Sequence, residues 1–84
     1  MGFQSSVIAK YENEGWTVLK NIRLNKNGFP DLHCMKLGEV DVWIEVKEKK
    51  DTLKPLQELR IDELNNLGKR AFCIHATDGV IYPL

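Results

Sequence analysis

Residues 30–47 read PDLHCMKLGEVDVWIEVK, two strand signals on either side of a turn. Pro30 confines Phe29 to extended backbone. Asp31 then opens a run through Leu32, His33, Cys34, Met35, Lys36 and Leu37, Gly38-Glu39 supplies a tight reversal, and Val40 to about Glu48 forms the next strand. Alternation puts Val40, Val42, Ile44 and Val46 on one face and Asp41, Trp43, Glu45 and Lys47 on the other. Antiparallel partners lie about 5 Å apart, so Asp31, at the start of one strand, and Glu45, late in the next, are expected to meet across the ladder.

Upstream, Phe3, Val7, Ile8 and Tyr11 recur at helical spacing from about Phe3 to Glu14, with Ser5 and Ser6 near the start and Gly15 in the stop position. Trp16, Val18 and Leu19 form a β-favouring run that fades into the polar turn Asn25-Lys26-Asn27-Gly28. Downstream, Pro55 suits the first turn of a second helix, for which Thr52 is the expected cap. Leu56, Leu59, Leu64 and Leu67 are expected at its core positions with Ile61 beside them, and Gly68 ends it. Ala71 to Ala76 reads as a buried strand, and a turn at Asp78-Gly79 returns Val80 to Tyr82 as a short edge strand. The order αβββαβ predicts an α/β domain, a small mixed sheet flanked by two helices.

At 84 residues the chain is expected to be a single domain spanning 1–84, with one modest core. The two cysteines sit in apolar strand-like runs with no signal-like opening, so disulfides are not expected to reinforce it. No apolar run approaches the roughly 20 residues of a membrane span, and a soluble, cytoplasmic protein is expected. Homodimerisation is the remaining way to add buried surface. Lysine plus arginine and aspartate plus glutamate number 12 each, so net charge gives no general attraction to nucleic acid. Distribution is more informative. Lys20, Arg23 and Lys26 precede the hairpin and Lys49, Lys50 and Lys54 follow Lys47, so that basic segments bracket an acidic centre, which would suit a phosphate backbone drawn onto a metal site; ordinary solvated loop residues are the equally weighted alternative.

Asp31, Glu45 and Lys47 fit phosphodiester hydrolysis. Hard cations such as magnesium take oxygen ligands, and both carboxylates and the Val46 carbonyl qualify. Lys47, two residues beyond Glu45 on the same face, could place its charge by the scissile phosphate and stabilise the transition state. A Glu-x-Lys strand alone is usually a solvated ion pair; the upstream Pro-Asp and Gln57 in the first turn of the following helix are what make this one specific. A zinc site from His33, Cys34, Cys73 and His75 is disfavoured, because neighbouring strand residues face opposite ways and no Cys-x-x-Cys occurs. Trp43 is expected to be buried under a helix rather than stacked on a base.

Gly28-Phe29-Pro30-Asp31, Ile44-Glu45-Val46-Lys47 and Pro55-Leu56-Gln57, in that order over nearly the whole chain, resemble the VRR-NUC domain of the PD-(D/E)XK nuclease superfamily. The resemblance implies a restriction-endonuclease-like core, with Asp31, Glu45 and the Val46 carbonyl as metal ligands, Lys47 as the catalytic lysine and Gln57 as an active-site glutamine. It also implies a homodimeric, Mg2+- or Mn2+-dependent DNA endonuclease directed at branched DNA such as Holliday junctions, in a bacterial or virus-infected host cell. The family usually carries a glutamate early in the first helix. Here Gln4 stands at that place; an amide can still coordinate a metal but lacks the charge. That departure keeps open a DNA-structure-binding module with weak or lost catalysis; a nuclease of flap or duplex ends is a separate alternative.

Overall fold

The computed structural model describes residues 2–48, 51–76 and 81–82. Helix α1 spans Phe3–Asn13, strands β1, β2 and β3 span Thr17–Lys20, Leu32–Met35 and Val42–Lys47, helix α2 spans Pro55–Asn66, and β4 and β5 span Arg70–His75 and Ile81–Tyr82. The strands form one sheet in the order β1-β2-β3-β4-β5. β3 and β4 are parallel, while every other neighbouring pair is antiparallel. The αβββαβ order and the mixed sheet are therefore as the sequence predicts, with α2 as the crossover that parallel pairing requires. The expected Asp78-Gly79 turn and Val80 lie outside the described residues.

The sheet separates two apolar layers. On one face Leu32, Cys34, Val42 and Ile44 pack with Val7 of α1, and Phe3, Ile8 and Tyr11 extend the contact. On the other face Ala71 and Cys73 pack with Ile61 and Leu64 of α2, together with Phe29, Trp43 and Leu53. Strand alternation makes this division: residues of β3 two apart share a face, so Ile44 enters the first layer while Trp43 enters the second. Cys34 and Cys73 are consequently buried free thiols in different layers, and desolvation pushes each pKa up to about 11. Trp43 is part of the second layer, as burial under a helix requires.

Several boundaries differ from the sequence reading. β2 stops at Met35 and β3 starts at Val42, leaving Leu37 fully exposed and Val40 half exposed in the connection. Thr52 does not cap α2: Lys54 occupies the N-cap position, and its amide donates to Gln57 Oε1 at 3.0 Å, satisfying one of the amides a helix start leaves open. Leu56, Leu59 and Leu67 are exposed rather than core. At about 100° per residue, Leu59 lies nearly opposite Ile61 around the helix, and α2 has a sheet on one side only. No described helix is long and apolar enough to cross a membrane.

Gly28 fixes how the β1–β2 connection meets α2. Its φ is +85°, and a Cβ there would lie 2.7 Å from Leu56 Cγ. Only glycine combines that backbone with so close an approach. Arg60 secures the same junction, donating from Nε to the Asn27 carbonyl at 2.9 Å and placing its guanidinium 5.2 Å from the centre of the Phe29 ring. The chain thus enters Pro30 and Asp31 from a fixed direction.

Candidate active site

Asp31, Glu45 and Lys47 converge at one end of the β2–β3 pair. Leu32 pairs with Ile44, so one step beyond the ladder Asp31 stands opposite Glu45. Asp31 Oδ2 accepts the Val46 amide at 3.3 Å. Lys47 Nζ lies 3.7 Å from Glu45 Oε2. These residues share the α2 face of the sheet with Cys73 and His75, which register against Glu45 and Lys47 respectively on β4.

Glu45 is the one buried charged residue among those described, at 3% exposure. Burial raises its pKa to about 8 from 4.5; a hydrogen bond shared with the Asp31 carboxyl and repulsion from its charge add to the rise, and Lys47 pulls the other way. Desolvation outweighs the lysine, which at 3.7 Å is a partial partner only. Glu45 Oε1 is buried with no hydrogen-bond partner among the described residues. A buried carboxylate with an orphaned oxygen, electrostatically coupled to a second carboxylate, suits a divalent cation, which would supply the missing partner and cancel the repulsion.

Backbone geometry provides a further oxygen. The Lys47 carbonyl accepts the Ala76 amide at 2.9 Å, so it points toward β4. Successive carbonyls along a strand point to opposite sides, hence the Val46 carbonyl points toward β2, on the side where its own amide meets Asp31. Asp31, Glu45 and the Val46 carbonyl are thus a fitting donor set for a hard cation. No group of three His, Cys, Asp or Glu side chains with metal-binding geometry occurs among the described residues.

The other predicted residues are dispersed. Gln57 presents its amide oxygen to the start of its own helix. Gln4 is half buried in α1, whose apolar side packs on the opposite sheet face, and it makes no hydrogen bond to Asp31 or Glu45 among the described residues. Lys20 ends β1, Arg23 and Lys26 stand on the connection that follows, and Lys54 precedes α2, all exposed. Lys49 and Lys50 lie outside the described residues.

Sequence reasoning missed the support beneath the site. His33 Nε2 donates to Asp41 Oδ2 at 2.9 Å, and the His33 ring stacks on Trp43 with centroids 4.0 Å apart and planes 14° from parallel. Their shared face was legible from alternation, but the side-chain pairing was not. His75 Nε2 donates to the Asp51 carbonyl at 2.8 Å, tying β4 to the segment before α2. Arg60 gave no sequence signal, since its partners lie on a distant connection.

The VRR-NUC domain pattern matches residues 4–78 of this chain. The chain belongs to the VRR-NUC domain family. That places it in the PD-(D/E)XK nuclease superfamily. A solved VRR-NUC domain structure is similar to it, with 23% identity, a TM-score of 0.76, and coverage of 87% of this chain and 80% of that one. Hjc, a Holliday junction resolvase from the archaeal hyperthermophile Archaeoglobus fulgidus, shares the fold with a TM-score of 0.65 and 15% identity over 94% of this chain and 66% of that one. Among curated proteins no sequence matches it. The VRR-NUC chain thus carries a restriction-endonuclease-like α/β core, as its motifs imply.

Proposed function

We propose that this VRR-NUC domain is a divalent-metal-dependent endonuclease that hydrolyses DNA phosphodiester bonds, with branched DNA such as a Holliday junction as its preferred substrate. The observation that carries the reading is that Asp31, Glu45 and Lys47 meet at one end of the β2–β3 pair, where a Glu45 carboxylate oxygen is buried without a hydrogen-bond partner among the described residues. The resolvase activity named for the structurally similar Hjc is consistent with the branched substrate.

Asp31, Glu45 and the Val46 carbonyl would hold Mg2+ or Mn2+, and Gln4 is the residue of α1 proposed to add a neutral ligand. When bound, such an ion polarises the phosphoryl oxygen and acidifies an attacking water. Lys47, held beside Glu45, offers its ammonium to the charge that builds on the phosphate in the transition state. Glu45 must shed its proton before it can bind a cation, and Lys47 favours that ionised form. Gln57 stabilises the first turn of α2 through Lys54, and its side-chain amide is proposed to reach the edge of the site. Lys20, Arg23, Lys26, Lys49, Lys50 and Lys54 would supply backbone contacts, whose signature is salt-dependent affinity. A homodimer would present two sites related by a twofold axis, matching the near-twofold symmetry of a four-way junction.

Cleavage of synthetic junction, flap and duplex DNA, with Mg2+, Mn2+ or EDTA, tests this reading. Metal-dependent cutting fastest on the junction is the expected result. Equal rates on flap or duplex ends would reassign the substrate, and tight junction binding with no cutting would leave a binding module.

A further inference from the structure

The connection between β1 and β2, residues 21–29, is closed at its neck and open in its bowl. At the neck the Asn21 amide donates to the Asp31 carbonyl at 2.7 Å, and Asn21 Nδ2 donates to the Pro30 carbonyl at 2.8 Å. The far side is pinned to α2 by the Arg60–Asn27 hydrogen bond and the Gly28–Leu56 contact. The bowl encloses a cavity of about 260 Å³, with Arg23 and Lys26 in its wall. From Ile22 to Gly28 no backbone amide donates a hydrogen bond among the described residues.

A loop with anchored ends, spare amides and two cations is arranged for an anion, because a phosphate oxygen accepts from backbone N–H groups and side-chain donors at once. Anchoring reduces the ordering cost that a free loop would meet on binding. The neck is also the backbone of Asp31, the proposed metal ligand, so the bowl and the metal site are joined by a single residue. No acidic side chain lines the cavity, in contrast to the carboxylate pair beyond Pro30.

We propose that residues 21–29 form a phosphate-binding cup that seats an uncut phosphodiester of the DNA strand, next to the linkage held at Asp31 and Glu45. The identity of the anion as a DNA phosphate rests on the nuclease reading, whereas the cup itself rests on the loop. Arg23 and Lys26 are its charged contacts, and the free amides supply sequence-independent recognition. The role is substrate positioning: the cup sets which phosphate reaches the metal, without taking part in bond breaking.

The test is an amide-resolved NMR titration of the metal-free, 15N-labelled full chain, first with inorganic phosphate and then with an oligothymidylate. Saturable shifts at the amides of residues 22–28 are expected with both probes. Arg23→Ala combined with Lys26→Ala should abolish them, weaken oligonucleotide binding about tenfold at low salt, and reduce the salt slope by about 1.4, the single-strand value for two phosphate contacts. Lys47→Ala should leave the loop shifts intact. Phosphate shifts confined to other regions, or oligonucleotide binding unchanged in the double variant, would overturn the cup. Loop shifts in a protein that cuts no nucleic acid would support the cup and remove the nuclease reading; cutting without loop shifts would do the reverse.

Discussion

The Val46 amide donates to the Asp31 carboxylate at 3.3 Å, one residue from the buried Glu45 carboxylate and one from Lys47. This contact aims Asp31 along the same strand edge as the Val46 carbonyl, so a side chain from one strand and a backbone oxygen from the next face one small volume.

Lys47→Ala should reduce cleavage by roughly 10²–10³-fold, the usual cost of losing a charge placed against transition-state negative charge. Mn2+ binding should persist, because lysine is not a ligand. Since Lys47 favours ionised Glu45, its loss should also move the onset of metal binding to higher pH. Calorimetric titration with Mn2+ alongside a cleavage assay measures both, and undiminished cutting would take Lys47 out of the chemistry.

Glu45, with its pKa raised to about 8 from 4.5, links stability and metal affinity to pH in opposite directions. The folded protein favours the protonated form, so its stabilising contribution is fully present below about pH 4.5 and is lost as pH rises through 8. Urea melts in EDTA should show this decline, and Glu45→Gln, which cannot ionise, should lack that component. Metal needs the carboxylate, so Mn2+ affinity should rise about tenfold per pH unit below 8 and then level off. A plateau already reached at pH 5 would contradict the raised value.

Gly28→Ala should destabilise the fold by about 1–3 kcal/mol, combining a left-handed backbone with a collision against Leu56. Leu56→Ala in the same chain should recover the collision part and leave the backbone part. Equilibrium unfolding of the two single variants and the double variant separates the contributions; no coupling between them would mean that the loop has moved away from α2.

Gln4→Glu should tighten Mn2+ binding and raise the cleavage rate. The added carboxylate brings charge to a site otherwise served by two acidic side chains. Unchanged affinity, measured by the same titration, would assign Gln4 to the α1 layer alone.

The hairpin and its acidic end were legible because strand alternation is a local rule: Asp41, Trp43, Glu45 and Lys47 share a face whatever surrounds them. The α2 core was less so. Four leucines and an isoleucine at nearly helical spacing suggest a broad apolar stripe, yet only Ile61 and Leu64 meet the sheet, because which side of the stripe is covered depends on where the crossover sets the helix. Long-range supports left no local trace. Arg60 to Asn27 spans 33 positions, and His75 to Asp51 spans 24; neither donor can be matched to its acceptor before the sheet order is known. The motif marks Glu45 as an expected ligand, but its raised pKa arises from burial, which only the assembled layers create.

Cys34 and Cys73 stand on opposite sides of one sheet, each sealed within its own apolar layer. They are therefore built-in reporters of two separate opening motions. Thiol-labelling rates at Cys34 would time the lifting of α1, while those at Cys73 would time the lifting of α2 from the strand beside Glu45. Unequal rates would reveal which half of this small molecule breathes first, without any introduced probe.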